Sequence, residues 1–95
     1  MEKNVEINGK NYTLKMNRAG LRKAEAIGLD IQKMAEQPTI QSTYLFMAAL
    51  WGGGSRMSDS NAMNLADEYF DSVDDVADAL TELAEMYAEV FRTRE

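Results

Sequence analysis

Residues 5–14 read Val-Glu-Ile-Asn-Gly-Lys-Asn-Tyr-Thr-Leu, and this stretch decides the fold. Val5-Glu6-Ile7 alternates apolar and polar residues, Asn8-Gly9 interrupts, and Tyr12, Leu14 and Met16 resume the alternation. Asn-Gly suits the two positive φ angles of a type I′ turn, whose twist matches that of paired strands. A two-residue loop pairs Ile7 with Lys10 and Val5 with Tyr12, placing Val5, Ile7, Tyr12 and Leu14 on one face. A lone two-stranded hairpin is marginal in water, so that face predicts a helical layer against it. Residues 1–16 are thus the hairpin of a single α+β domain.

Working outward, Asn17 is placed to cap a helix that carries Leu21, Ala24 and Ile27 and ends at Gly28. Asp30 can cap a further turn or two through Ile31, Met34 and Ala35. Gln37-Pro38 closes that segment, because the residue before proline avoids the α region. Thr39 opens a third helix in which Tyr44-Leu45-Phe46-Met47-Ala48-Ala49-Leu50-Trp51 is apolar on every side. Such a helix is buried on every side, by its own domain or, along one face, by another chain. Residues 17–51 are therefore helical segments with Tyr44–Trp51 at their centre. Gly52-Gly53-Gly54-Ser55 ends the helix, and residues 52–58 read as a flexible Gly-rich loop. It follows a helix rather than a strand and lacks the GxxxxGK[ST] pattern, so a phosphate cradle is not expected.

Residues 59–95 read as acidic helical segments. Ser58 or Asp59 can cap a helix whose apolar stripe is Ala62, Leu65, Ala66, Tyr69 and Phe70. Ser72 is placed to cap the last helix, with Asp75 at the N3 position of a capping box. That helix carries Val73, Val76, Leu80, Leu83, Tyr87 and Val90 at helical spacing, with Phe91 beyond them, which predicts packing along its full length. Arg92 and Arg94 suit its C-terminal end. The expected architecture is an N-terminal two-stranded hairpin packed on a mostly helical domain of about four helices.

Composition narrows the chemistry. The 95 residues include no Cys and no His, which removes thiolate and imidazole ligands, Cys nucleophiles and His-based acid–base catalysis. Asp67, Asp71, Asp74, Asp75, Asp78 and Glu82 fall within sixteen residues, opposite the apolar stripe and without an EF-hand pattern. They read as a solvated face. No catalytic, metal or cofactor-binding residues are expected, and the protein is not expected to be an enzyme.

The net charge of −6 argues against phosphate backbones, so no nucleic-acid partner is expected. The charge is split, with a net of +2 over residues 1–40, none over 41–55 and −8 over 56–95. Oppositely charged halves, with an over-apolar helix between them, predict self-association into open oligomers. The opening residues contain no apolar leader. The eight-residue apolar run Tyr44–Trp51 is too short for a bilayer, which needs about 20 residues, so no membrane partner is expected. Met16, Met34, Met47, Met57, Met63 and Met86 supply adaptable thioethers, and Tyr44, Phe46, Met47 and Trp51 are the candidate partner-binding residues.

The hairpin INGKNYTLKMN, the helix RAGLRKAEAIGLD, the apolar stretch YLFMAALWGG and the acidic segment ending DEYFD together resemble the tail assembly chaperones of long-tailed, siphophage-type bacteriophages. The resemblance spans most of residues 5–72, and the length fits the short product of that family. It implies a non-catalytic protein of the host cell cytoplasm that binds the tape measure protein and keeps it soluble during tail assembly. It also implies contact with the tail tube protein and absence from the mature virion. Two other expectations compatible with the residues are a structural head–tail or capsid component and a small acidic regulator that binds a protein target.

Overall fold

The computed structural model describes residues 2–92. Strand β1 (Glu2–Ile7) and strand β2 (Lys10–Lys15) form an antiparallel hairpin with Ile7 opposite Lys10 and Val5 opposite Tyr12. Asn8 (φ 52°) and Gly9 (φ 79°) supply the two positive φ angles of the turn. Ile7 and Leu14 are buried, and Val5 and Tyr12 are half-buried beside them. This face covers the helices, with β2 against helix α2 (Pro38–Gly52) and β1 against helix α3 (Asp59–Ser72).

Helix α1 (Arg18–Ile27) starts where Asn17 Oδ1 accepts a 2.8 Å hydrogen bond from Gly20 N, and it ends at Gly28. A 3₁₀ turn at Ile31–Lys33 follows, capped by Asp30, whose carboxylate accepts from Gln32 N. Helix α2 (Pro38–Gly52) begins with proline in its first turn, where the missing N–H costs nothing. Helices α1 and α2 are antiparallel neighbours. Asn17 Nδ2 at the start of α1 donates to Gly52 O at the end of α2, and Gln41 near the start of α2 binds the chain just beyond α1. The crossing is close because Gly20 has no side chain: a Cβ there would run into the backbone of Ala48 and Gly52.

Helix α2 is the centre of the molecule, touching α1, β2, helix α3 (Asp59–Ser72) and helix α4 (Val76–Val90). Every residue from Leu45 to Trp51 is buried, so the helix that is apolar on all sides is covered within its own chain. Phe46 stacks on Tyr69 of α3 with ring centroids 4.8 Å apart, and Phe70 meets Phe46 edge-on at 6.2 Å. Helix α3 is capped by Ser58, whose hydroxyl accepts from Asn61 N.

Two local expectations need correction. Residues 52 and 53 are not flexible loop. Gly52 is the last residue of α2, and a Cβ on Gly52 or Gly53 would clash with the carbonyl oxygens of Lys15 and Thr13 on β2. These glycines let a helix end abut a strand backbone. Nor does Ser72 cap the last helix. Its hydroxyl donates to Tyr69 O inside α3, and Asp75 is the cap of α4, accepting from Asp78 N at 3.2 Å. A serine bonded back into the helix it ends is not free to start the next, and the carboxylate three residues on takes the role. The expected place of Arg94 at the end of α4 lies outside the described residues.

Candidate functional site

The apolar stripe of α4 is wider than the strip it buries. Ala79, Leu83 and Met86 are its buried residues. On one flank Lys3 Nζ of β1 forms an ion pair with Glu82, tying the helix to the hairpin. On the other flank Ala77, Leu80, Ala84, Tyr87 and Phe91 recur at spacings of three and four, the period of a coiled-coil seam. Ala77, Ala84 and Phe91 are exposed, and Leu80 and Tyr87 are half-buried. Val76 (49% exposed) and Phe91 (55%) are the large hydrophobic residues left exposed among the described residues, one at each end of this line. Fifteen helical residues separate the ends by about 22 Å.

Grooves run beside this seam. Near Val76 and Leu80 a cavity of about 320 Å³ is bounded by Pro38, Thr39 and Ser42 of α2 and by Phe70 and Asp71 of α3. A second hollow of about 510 Å³ adjoins it over Ile40, Met63 and Asp67. At the far end Phe91 lines a smaller cleft, about 150 Å³, with Arg18, Leu21, Arg22 and Glu25 of α1. Tyr87 lies between these ends and pairs with Phe91 at 5.0 Å. Burial, reinforced by the negative charges of Glu25 and Asp30, pushes the Tyr87 phenol up from its ordinary range. The seam is thus apolar along its length and flanked by carboxylates, with Arg18 and Arg22 near Phe91.

The residues expected to meet a partner lie elsewhere. Phe46 and Met47 have no exposed surface, and Trp51 is buried with its indole N–H donating to Met57 O at 2.9 Å and Lys23 Nζ 4.3 Å above its ring. These three are core residues and offer a partner no surface in this fold. Tyr44 alone is half-exposed, packed over Gly28. Helices α1, α3 and α4 and strand β2 together surround Leu45–Trp51 of α2, while Tyr44 keeps an open side. One buried polar side chain escaped sequence reasoning. Gln41 accepts from Asp30 N at 2.8 Å and donates to Gly28 O and to Gln37 Oε1, both at 3.2 Å. It fastens the α1–α2 connection.

Among the described residues no three carboxylates converge as a metal cage requires, and no helix is long and apolar enough to cross a membrane. What the surface offers is a partly exposed apolar strip along α4. The chain belongs to the DUF5055 family. The family's model, described as a domain of unknown function, matches residues 1–94. No curated protein and no solved structure matches the chain. The family description assigns neither an activity nor a partner.

Proposed function

We propose that this protein is a non-catalytic assembly chaperone of the long-tailed phage kind, which binds helical segments of a tape measure protein and keeps them soluble while the tail is built. The observation that carries the proposal is the uncovered seam of α4, an apolar helix face about 22 Å long at coiled-coil spacing. A holdase for helical clients needs such a face, and helix-in-groove recognition reads anchors spaced by three, four and seven residues. The acidic surface of residues 56–95, with a net charge of −8, serves the same task by keeping a complex with an apolar client in solution. Residues 5–72 supply the identity of the client through their resemblance to tail assembly chaperones. In that reading the protein works in the cytoplasm of the infected cell, has access to the tail tube protein, and is absent from the finished virion. Self-association through the oppositely charged halves belongs to the same proposal.

The test is to express a tape measure protein from the same genome with and without this chain, and to recover complexes from the soluble fraction. The proposal expects a tape measure that is insoluble alone and that co-purifies with the chain at low salt. A tape measure equally soluble alone, or no co-purification, refutes it.

A further inference from the structure

We propose that the occupant of the α4 seam is a basic amphipathic helix, with apolar residues at heptad spacing laid against Val76, Leu80, Tyr87 and Phe91 and Lys or Arg residues along its edges. This deepens the client-holding reading and rests on it. Two observations select the occupant. The first is the spacing of the seam: Ala77, Leu80, Ala84 and Tyr87 alternate small and large side chains at intervals of three and four, with Phe91 four residues beyond. Knobs from a second helix fit over Ala77 and Ala84 while Leu80 and Tyr87 fill the spaces between them. A strand, with side chains on alternate faces, does not match that period.

The second observation is charge. Asp67 and Asp71 flank the groove at Val76 and Leu80, Glu36 lies at the edge of the adjoining hollow, and Glu25 and Asp30 act on Tyr87. No Lys or Arg lines either hollow near Val76. Arg18 and Arg22 line the cleft beside Phe91, together with Glu25. A wholly apolar helix would leave these carboxylates without partners, and an acidic one would meet like charges over most of its length. A basic helix pairs with them and gains a direction, because its Lys-rich portion belongs toward Val76 and not toward Phe91.

The experiment uses the full chain and two synthetic 21-residue helical peptides with the same Leu and Ile seam, one edged with Lys and the other with Glu. Binding is read by fluorescence anisotropy at low and high salt. The Lys peptide is expected to bind about tenfold or more tightly than the Glu peptide, with the ratio shrinking as salt rises. Val76→Asp and Phe91→Asp, both at exposed positions, are each expected to weaken the Lys peptide about tenfold while circular dichroism stays unchanged. Asp67→Asn with Asp71→Asn is expected to weaken the Lys peptide and leave the Glu peptide unaffected or improved. Equal affinity for the two peptides, or unchanged Lys-peptide binding in Val76→Asp and Phe91→Asp, overturns the inference. So does sedimentation showing a dimer that Val76→Asp dissolves, which would make a second copy the occupant. If neither peptide binds while the tape measure is still held soluble, this inference fails and the chaperone reading stands. If the Lys peptide binds as described while the tape measure is not solubilised, the chaperone reading fails and the basic-helix site stands.

Discussion

Helices α2 and α4 are both fifteen residues long and both rich in apolar side chains, yet nine residues of α2 are buried and only three of α4. The difference lies in what surrounds them. α2 is enclosed by α1, β2, α3 and α4, so its apolar surface is spent inside the domain. α4 packs one strip of its surface, Ala79-Leu83-Met86, leaving the adjoining strip at the edge of the grooves. The more hydrophobic helix is therefore enclosed, and the amphipathic one leaves apolar area at the surface. Hydrophobicity alone does not locate exposed apolar surface, because that depends on which area the fold leaves uncovered.

Substitution of matched aromatics should break this comparison most sharply if it is wrong. Phe46→Ala is expected to cost about 3–5 kcal/mol, with Tm falling by roughly 12 °C or more. Phe91→Ala should change stability by no more than about 0.5 kcal/mol in the same melts. Comparable losses at the two positions would mean that Phe91 is also core. Next in size is Gly52→Ala. A methyl group there meets the Lys15 carbonyl, a backbone atom that cannot rotate away, so a loss of about 1–3 kcal/mol or more is expected in urea unfolding. Gln41→Leu should cost about 1–3 kcal/mol, because Asp30 N and Gly28 O lose the partner that the buried Gln41 side chain supplies.

At the start of α4 the expected effects are smaller. Asp75→Ala removes the observed cap and should cost about 1 kcal/mol, whereas Ser72→Ala should cost less. Equal losses would put the helix start back at Ser72.

The smallest expected effect is on pH dependence. Lys3 is raised chiefly by its hydrogen bond to Glu82, Tyr69 chiefly by burial, and Tyr87 chiefly by burial. Each group titrates later in the folded chain than in the unfolded one. Its contribution is therefore fully present below about pH 10 and is lost as pH rises through the folded value. Thermal melts should show stability declining above about pH 10, and Tyr69→Phe should make the decline shallower. An unchanged alkaline slope in Tyr69→Phe would show that Tyr69 does not contribute to it.

How far the fold was legible follows from the range of each interaction. The hairpin, its register and the caps at Asn17 and Asp30 depend on residues a few positions apart and read directly from sequence, which also narrows the cap of α3 to Ser58 or Asp59. Gly52 and Gly53 look like a loop because the strand they touch lies about 40 residues earlier, at Thr13 and Lys15. Gln41 looks like one more polar residue in a helix because its partners are carbonyl and amide groups beyond α1. The same limit explains the site. The periodicity of α4 shows a broad apolar stripe, but which half is covered depends on where α1 and the start of α2 stop beside it. For Phe46, Met47 and Trp51 the pattern was visible and only their covering was not.

The central claim is that α4 presents the partner surface and α2 does not. Hydroxyl-radical footprinting of the full chain, alone and in complex with a tape measure segment, tests it directly, since aromatic side chains report their own accessibility. The account predicts strong protection of Tyr87 and Phe91 in the complex, with Tyr44 little changed and Phe46 unreactive in both states. Protection at Tyr44 with Tyr87 and Phe91 as reactive as in the free protein would contradict it.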